Sequence, residues 1–514
     1  MMTFKRRFHC NFFIICLFVS GILFIYSSIA YAQVWVYDYL EMIVDTNYAK
    51  HKRSTLVRVE IEQAGEKHES FVMFDKNQQP SGNLAMNPDN HWTNFSMKGD
   101  VIVHVKRLDD HRITFCNIYP FKKGIQASVD GKTASFTITE DLLPLQLYVE
   151  MNDMPMDAIL IFADPSETDV PSRDDSDVEV IYTSDDINTV HRKLKNTTTY
   201  KYFEKGVHQW GNETGPDYAG YKLPVTSGKK IYIPGGAYVI GSLSGDASDY
   251  KVYGRGIISA AGKDRIPGTS GIPYSLVQGD GASNTGIRLE GFVTLCPPHF
   301  ALTIRGQVDI DNVKMLSWWH STDGIVTGHN STVRNCFFKV MDDYIKLYSD
   351  YCHHENNTMF HQVNGAPFQL CWGNQTSKNN TVVNTYIINS IYKNISGTGN
   401  SAVINARTGR QGNVTENMIW DGLYIDNGCH RLIGMEPKGG AYHNFIIKNV
   451  ALNSGNKSQP QNAWSYLLDG IFSNFKFINL AVDGHPIVIT NEERDVPERG
   501  ALWFHGDSSV LRFE

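Results

Sequence analysis

The length and charge of the chain exclude several classes of protein. It has 514 residues, more than one hydrophobic core usually serves, so two domains are expected. A net charge of −7 and a pI near 6.2 argue against nucleic acid as a partner, because proteins that bind it present a basic face. An acidic polysaccharide is disfavoured for the same reason, unless a local basic cleft overrides the global charge.

The N-terminus has the pattern of a secretory signal peptide. A basic segment at 5–7 precedes an almost wholly apolar run over 12–26, and an Ala-Tyr-Ala sequence that ends at Ala32 follows. We therefore expect cleavage between Ala32 and Gln33, secretion, and no membrane contact afterwards. Retention of residues 1–32 as a signal anchor is the alternative. No other stretch is apolar over the ~20 residues that a membrane-spanning helix requires.

The cysteines and sequons are also typical of an exported protein. Six cysteines follow the predicted signal peptide, and an even number permits disulfides whose pairing the sequence does not fix. They are Cys116, Cys296, Cys336, Cys352, Cys371 and Cys429. None forms a Cys-x-x-Cys pair, so we expect no structural zinc site. Ten Asn-x-Ser/Thr sequons predict some N-linked glycosylation, and a glycan on Asn330 would crowd the candidate site discussed below.

Residues 33–165 predict an antiparallel β-sandwich. Short runs of alternating apolar and polar residues, such as 56–61 and 101–105, are separated by clusters of turn-forming residues. These runs contain no combination of acid, base and nucleophile, so we expect a supporting or carbohydrate-contacting domain. The next residues, 166–180, are polar and acidic with almost no large apolar side chains, which is typical of a linker.

Residues 181–514 predict a parallel β-helix, which makes the whole fold all-β. A strand that contains or follows an asparagine recurs at Asn312, Asn335 and Asn357, with spacings of 23 and 22 residues. A strand-rich repeat of this length indicates a solenoid whose coils stack about 4.8 Å apart. Asparagines at one position of successive coils can then form a side-chain ladder. A set of sandwiches, the main alternative, would need hairpin turns that this period does not give.

Three aspartates within 318–348 form the candidate catalytic cluster. Asp323 and Asp342 are 19 residues apart, nearly one coil, which predicts that they lie on neighbouring coils. Asp343 follows directly, so a bulge or turn must redirect one of the pair if both face the same cleft. Carboxylates this close do not all ionise easily, so one keeps a proton for a leaving group while another activates water. Glycoside hydrolysis needs this combination; a turn pair or a calcium site is the alternative.

Four segments carry a resemblance to glycoside hydrolase family 49, the dextranases and isopullulanases. They are 322–324, 342–348, 235–242 and 254–259. The resemblance implies a β-sandwich followed by a right-handed parallel β-helix, and endo-hydrolysis of α-glucan with inversion and without a cofactor or metal. It implies that Asp342 is the general acid, and that Asp323 and Asp343 hold and activate the water. The α-1,6 links of dextran are the expected target, with the α-1,4 links of pullulan as the alternative.

A polygalacturonase-like pectin hydrolase is the next reading. Those related β-helix enzymes also place Thr-Asp before Asp-Asp, but they need a Gly-His-Gly after the pair and an Arg-x-Lys that binds the substrate carboxylate. Here Gly-His-Asn at 328–330 precedes the pair, and Ile-Ile-Lys at 446–448 lacks the arginine, so a neutral glucan is favoured. A non-catalytic carbohydrate-binding β-helix protein is the alternative of a different class.

Aromatic and polar residues near the aspartates are candidates for binding the sugar. Flat rings pack on the apolar C–H faces of sugars, and polar groups hydrogen-bond to their hydroxyls. At least one of these rings is expected to belong to the solenoid core instead. The candidates are Trp318, Trp319, His320, Tyr344, Lys346, Gln369 and Trp372, with Arg407 as a weaker one. The polysaccharide is the expected partner, and the protein is expected to be a monomer.

Overall fold

The structure is a computed structural model. It describes residues 33–45, 49–77, 89–152, 158–210, 221–261, 275–317, 321–361, 364–390, 400, 402–407, 409–453, 465–487, 504–506 and 508–514. The predicted signal peptide, residues 1–32, lies outside the described residues. Within these ranges, no helix has both the length and the apolar character needed to cross a membrane.

The first part of the chain folds into two β-sheets packed face to face. The eight-stranded sheet has the order Met42–Asp45, Ala49–Arg53, Met73–Asn77, Asp89–Lys98, Ile159–Pro165, Leu145–Met151, Cys116–Tyr119, with Gln33–Val36 also paired to Asp89–Lys98. The five-stranded sheet has the order Ser128–Asp130, Thr133–Ile138, Val101–Arg107, Val57–Gln63, Glu66–Ser70. Alternate residues of these strands are buried between the sheets, as the apolar–polar alternation predicts.

The second part of the chain is a solenoid of parallel strands in three stacks. The first stack contains Val178–Ile181, Tyr200–Phe203, Lys230–Ile233, Lys251–Gly254, Ile287–Glu290, Val308–Asp311, Thr332–Arg334, His353–Glu355 and Ser377–Lys378. The second contains Gly206–Gln209, Ala237–Ile240, Ile257–Ser259, Val293–Leu295, Lys314–Leu316, Phe337–Lys339 and Thr358–Phe360. Long strands then continue both stacks: Thr381–Ser390, Val414–Cys429, Ala441–Asn453 and Ile471–Val482. On the last of these, Leu511–Phe513 adds in parallel and His485–Ile487 adds antiparallel, as a hairpin.

The third stack is the one that carries the candidate site. Its strands are Lys222–Pro224, Ser242–Gly245, Ser275–Gly279, Phe300–Ile304, Asp323–Thr327, Ile345–Lys346, Phe368–Trp372, Ile404–Arg407, Ile433–Glu436, Ser465–Leu467 and Phe504–Gly506. Every pair of neighbours in this stack is parallel. The described helices are the α-helix Ile187–Lys195 and the short 3-10 helices Phe121–Lys123, Glu140–Leu142 and Ser508–Val510.

Asparagines occupy one corner of successive coils, as predicted for Asn312 and Asn335; in the next coil the corner residue is Asn356 and not the predicted Asn357, whose side chain is hydrogen-bonded to the backbone of the preceding coil. Asn312, Asn335, Asn356 and Asn449 all have φ between 55° and 58°, a left-handed conformation that asparagine tolerates better than most residues. The Nδ2 of Asn356 donates to Oδ1 of Asn335 at 2.6 Å, so the amides connect one coil to the next. Gly422, with φ of 85°, takes this corner in one coil.

The sandwich packs against the second stack. Aromatic residues from both parts, including Trp92, Phe162 and Phe337, share one core. A fully buried ion pair joins Asp164 of the sandwich to Lys314 of the solenoid, with 2.7 Å between Nζ and Oδ1. No described residue of the third stack belongs to this shared core.

Two details of the chain differ from the sequence-based expectations. The structure describes all six cysteines that follow the predicted signal peptide, and none is joined in a disulfide; five are buried at separate positions on different coils, and Cys116 lies in the sandwich. The segment predicted as the linker 166–180 contacts the solenoid: the Tyr232 hydroxyl donates to the Glu167 carboxylate at 3.2 Å. Its last three residues belong to the strand Val178–Ile181.

Candidate active site

The three aspartates meet where two neighbouring strands of the third stack begin. Asp323 is the first residue of Asp323–Thr327, which pairs in parallel with Ile345–Lys346. Asp342 and Asp343 lie in the bend that leads into this second strand, outside the regular strand alternation. One carboxylate oxygen of each aspartate lies within 4.8 Å of those of the other two. The bend therefore explains how two adjacent residues reach the same cluster.

Close main-chain packing holds this bend in place. Gly365, one coil further on, has φ of +82°, and a Cβ on it would lie 2.0 Å from the carbonyl carbon of Asp342. A Cβ on Gly324, beside Asp323, would lie 2.2 Å from the carbonyl oxygen of Tyr344. Any side chain at either position would displace the bend, and Gly365 also needs its left-handed backbone conformation.

Asp343 is buried among hydrogen-bond donors. Its Oδ1 accepts from the backbone N–H of Ala366 at 3.1 Å, from Nδ2 of Asn400 at 2.6 Å and from Nε2 of Gln369 at 3.3 Å. The ammonium of Lys346 donates to its Oδ2. These donors match an ionised carboxylate, which only accepts hydrogen bonds.

Asp323 is equally buried and shares the same lysine. Nζ of Lys346 lies 3.0 Å from its Oδ1, and the backbone N–H of Asp343 donates to this oxygen at 3.1 Å. Nε2 of His299 lies 3.7 Å from its other oxygen, and Nδ1 of that ring lies 2.9 Å from the carbonyl oxygen of Ser321. Burial raises the pKa of Asp323 to about 7, with Lys346 opposing the rise and Asp343 adding to it.

Asp342 is the most accessible of the three aspartates, and its pKa is strongly raised. Burial, together with the negative charges of Asp343 and Asp323, raises the pKa of Asp342 to about 8, and Lys346 only partly offsets this. At neutral pH its carboxyl group therefore holds a proton at a position that a ligand can reach, which is what a general acid requires.

Lys346 supplies the positive charge of the cluster. Burial disfavours its ammonium, but the carboxylates of Asp343 and Asp323 hold the pKa of Lys346 well above its ordinary value. The three aspartates are also the one group of acidic, histidine or cysteine side chains, among the described residues, that converges closely enough to hold a metal ion. Lys346 lies between two of them, so a cation would compete with its ammonium.

The structure separates the predicted sugar-binding residues into different groups. Trp372 is 47% exposed at the end of the strand that contains Gln369. Lys346 and Gln369 contact the aspartates rather than open solvent. Tyr344 is wrong as a sugar-stacking residue: the bend turns it into the solenoid core, where it has no exposed surface and donates to the Phe360 carbonyl at 2.6 Å. The residues Trp318, Trp319 and His320 lie outside the described residues.

Two contacts of the cluster were missed from the sequence. His299 precedes Phe300, which pairs with Asp323 in the next strand, so counting back one coil from Asp323 would have indicated it. Asn400 belongs to the connection between Thr381–Ser390 and Ile404–Arg407, which is longer than the corresponding connections of the preceding coils, so the repeat gave no position for it. The weaker candidate, Arg407, lies next to Trp372, with its guanidinium carbon 5.9 Å from the centre of the ring.

No family model matches the chain. It is 24% identical over 363 residues to dextranases of Arthrobacter sp. (strain CB-8) and Arthrobacter globiformis, an alignment that covers 58% of this chain and 55% of each relative. The chain thus spans about half the length of these two enzymes. Isopullulanase of Aspergillus niger is 21% identical over 411 residues, which cover 71% of both proteins.

One solved structure shares the complete fold. Dex49A from Penicillium minioluteum superposes with a TM-score of 0.76 at 17% identity, over 94% of this chain and 99% of that one. The sandwich and the right-handed parallel solenoid therefore form one shared architecture. The chain is thus similar in fold to Dex49A and similar in sequence to dextranases and an isopullulanase.

Proposed function

We propose that the protein is a secreted glycoside hydrolase that cleaves α-glucan chains internally, with the α-1,6 links of dextran as its substrate. The observation that carries the proposal is the pairing of a protonated, accessible Asp342 with the buried carboxylates of Asp343 and Asp323. The similarity to two dextranases and an isopullulanase supports an α-linked glucan as the substrate class.

The proposed reaction assigns a separate role to each group. Asp342 gives its proton to the glycosidic oxygen while the bond from that oxygen to the anomeric carbon breaks. Asp343, with Asp323, takes a proton from the water whose oxygen forms the new bond to this carbon. Lys346 keeps a positive charge beside the two bases and so favours their ionised forms before the reaction. Exchange with solvent then returns one proton to Asp342 and removes one from the base.

The spacing of the carboxylates bears on the stereochemistry. Acid and base usually stand ~6.5–9.5 Å apart in inverting glycosidases and about 5–5.5 Å apart in retaining ones. Here the nearest oxygens lie within 4.8 Å. A water still fits between two of them, since two hydrogen bonds of about 2.8 Å at a tetrahedral angle span about 4.6 Å. We propose inversion, for which this spacing leaves room: NMR of the first product should show the β anomer, whereas an early α anomer would indicate a covalent sugar–aspartate intermediate.

A substrate panel tests the proposed function. Purified protein is incubated with dextran, pullulan and polygalacturonate, and the release of reducing ends is followed together with the size of the products. We expect release from dextran and a rapid fall in polymer length, as internal cleavage requires. Asp342→Asn should abolish release, and Asp130→Asn, a change at an exposed position of the sandwich, should leave it intact. No release from any glucan, with binding retained, would favour a non-catalytic carbohydrate-binding protein.

Cleavage of the α-1,4 links of pullulan is the second candidate. The similarity to the isopullulanase extends over 71% of both chains, a larger share than the similarity to the Arthrobacter dextranases. The same panel separates the two, because dextran contains no succession of α-1,4 links. Release from polygalacturonate would instead support the pectin hydrolase, although the segment 446–448 lacks the arginine that would bind its carboxylate.

A further inference from the structure

The ring of His299 lies between the buried carboxyl group of Asp323 and solvent. The side chain of His299 is 21% exposed, whereas that of Asp323 is 5% exposed. Nε2 of the ring lies 3.7 Å from Oδ2 of Asp323, and Nζ of Lys346 lies 3.0 Å from Oδ1, so the two carboxyl oxygens face different partners. The ammonium supports a negative charge at Oδ1, and the ring is placed to exchange a proton with Oδ2.

A hydrogen bond on the far side of the ring fixes the tautomer of His299. Nδ1 lies 2.9 Å from the carbonyl oxygen of Ser321, which only accepts hydrogen bonds, so Nδ1 carries a hydrogen. In the neutral ring the nitrogen without a hydrogen is then Nε2, the one nearest to Asp323. A proton on Oδ2 therefore faces an acceptor, and a proton on Nε2 faces a carboxylate.

The main chain on both sides of the contact is held in place. His299 follows Cys296 and two prolines, which restrict the backbone, and Cys296 itself has a φ of 54°. Sγ of Cys296 lies 3.5 Å from Nε2 of His51 in the sandwich, so a buried contact anchors the start of this corner. At the end of the corner, the backbone N–H of Asp323 donates to the carbonyl oxygen of His299 at 2.8 Å. The ring and the carboxyl group are therefore carried by chain segments that are bonded to each other.

The ionisation of Asp323 shows what such a contact can do. Burial raises the pKa of Asp323 to about 7, with Lys346 opposing the rise and Asp343 adding to it, so the carboxyl group holds a proton for part of the time at neutral pH. An imidazole has an ordinary pKa of about 6.5, so transfer between the two groups is nearly balanced. The distance of 3.7 Å exceeds the ~2.6–3.2 Å that direct transfer needs, and contacts of this kind commonly shorten when a substrate binds.

We propose that His299 is a proton relay that takes the proton of the attacking water from Asp323 and releases it to solvent. The relay rests on the proposed function, since its proton comes from the hydrolytic water. When the oxygen of that water forms its bond to the anomeric carbon, the proton passes to Oδ2 of Asp323 and from there to Nε2 of His299. The ring is then an imidazolium with a hydrogen on each nitrogen. Loss of the Nε2 proton to solvent restores the neutral ring beside an ionised carboxylate.

The test compares His299→Ala, His299→Asn and wild type on dextran and on α-isomaltosyl fluoride, whose fluoride leaves without a proton from an acid. Both variants should lower kcat on the order of tenfold or more on both substrates, because the base has lost its relay. Asparagine keeps a side-chain N–H for the Ser321 carbonyl and lacks Nε2, so this variant separates the relay from the loss of that hydrogen bond. Asp342→Asn should instead spare the fluoride, because the acid protonates only the glycosidic oxygen.

Chemical rescue distinguishes a relay from a structural role. Imidazole added to His299→Ala should restore kcat several-fold, and the gain should follow the fraction of imidazole that is neutral. His353→Ala is the matched control, because His353 is a 41% exposed histidine of the first stack whose Nε2 lies 3.3 Å from Glu355; its kcat should equal that of wild type. Unchanged kcat in both His299 variants overturns the relay, and so does a loss that imidazole does not restore or that is confined to dextran.

NMR of the protein labelled with ¹³C in its histidine rings follows the shared proton independently of hydrolysis. Comparison with His299→Asn assigns the ring signal of His299. Its titration midpoint should move to lower pH in Asp323→Asn, where no carboxylate faces Nε2, whereas the midpoint of His353 should stay in place. A midpoint of His299 that does not move overturns the relay. If wild type cleaves neither substrate but the midpoint moves, the hydrolase proposal fails and the proton exchange between Asp323 and His299 stands.

Discussion

Asp342→Asn provides a stability test of the general acid as well as an activity test. The folded protein raises the pKa of Asp342 from 3.8 to about 8, so the folded state binds its proton more tightly than the unfolded state does. For a raised carboxyl pKa, stability is greatest at low pH and falls as pH rises through the interval from 3.8 to about 8. Asparagine does not titrate, so the variant escapes this loss.

The expected stability gain of Asp342→Asn follows from the difference between the folded and unfolded pKa values of Asp342. Each pH unit corresponds to about 1.4 kcal/mol, so (8 − 3.8) units give a gain in the free energy of unfolding of at most about 6 kcal/mol at pH 8. At pH 6 the same arithmetic, (6 − 3.8) units, gives at most about 3 kcal/mol, and near pH 4 the gain vanishes. The rate should fall by about 10²–10⁴ through loss of general acid catalysis.

Urea denaturation at several pH values, followed by tryptophan fluorescence, measures this gain. The difference between Asp342→Asn and wild type should grow steadily from pH 4 to pH 8 and then level off. Asp130→Asn, at an exposed position of the sandwich, should show no such trend. A difference that does not depend on pH, or a variant that keeps full activity, would refute a protonated Asp342 in the folded enzyme.

Three further substitutions test how the cluster is held. Gly365→Ala should lower kcat and reduce the free energy of unfolding by roughly 1–3 kcal/mol, because it strains the backbone and displaces the bend that carries Asp342. Gly412→Ala is the control: its φ is also positive but the space around it is open, so it should reduce stability without lowering kcat. Asn400→Ala removes a 2.6 Å donor to Asp343, so kcat, measured on dextran, should fall on the order of tenfold. Lys346→Met should lower the free energy of unfolding by about 3–5 kcal/mol at pH 8, because it leaves the carboxylates without their ammonium. The loss should be smaller at pH 5, where protonation relieves the repulsion between the carboxylates. Urea denaturation midpoints at the two pH values measure the difference.

The repeat was predictable because backbone conformation and sequence agree at one corner. That corner requires a left-handed backbone, which asparagine tolerates, and so Asn312 and Asn335 recur 23 residues apart. The next corner residue is Asn356, 21 residues further on, and the predicted spacing of 22 took its neighbour Asn357 instead. The same period placed Asp323 next to Asp342, since 19 residues is nearly one coil.

The parts of the site that depend on irregular backbone were not predictable. The inward turn of Tyr344 follows from the bend at Asp342, and strict strand alternation does not describe a bend. The outward position of Trp372 depends on one extra residue relative to its partner strand, a relation that exists only once the strands are paired. Asn400 donates to Asp343 from a connection that is longer than the corresponding connections of the preceding coils, so the repeat does not predict its position.

Because the coils are stacked, the coils that carry the catalytic residues are distinct from those that extend the binding surface. Each coil of a solenoid contacts only its neighbours, and the acid, the bases and their supporting groups come from consecutive coils between His299 and Asn405. Coils could be added or lost beyond this segment without changing the distance from Asp342 to Asp343. Adding or removing whole coils therefore changes the length of the binding surface, and with it the preferred chain length of the substrate, while the catalytic geometry stays the same.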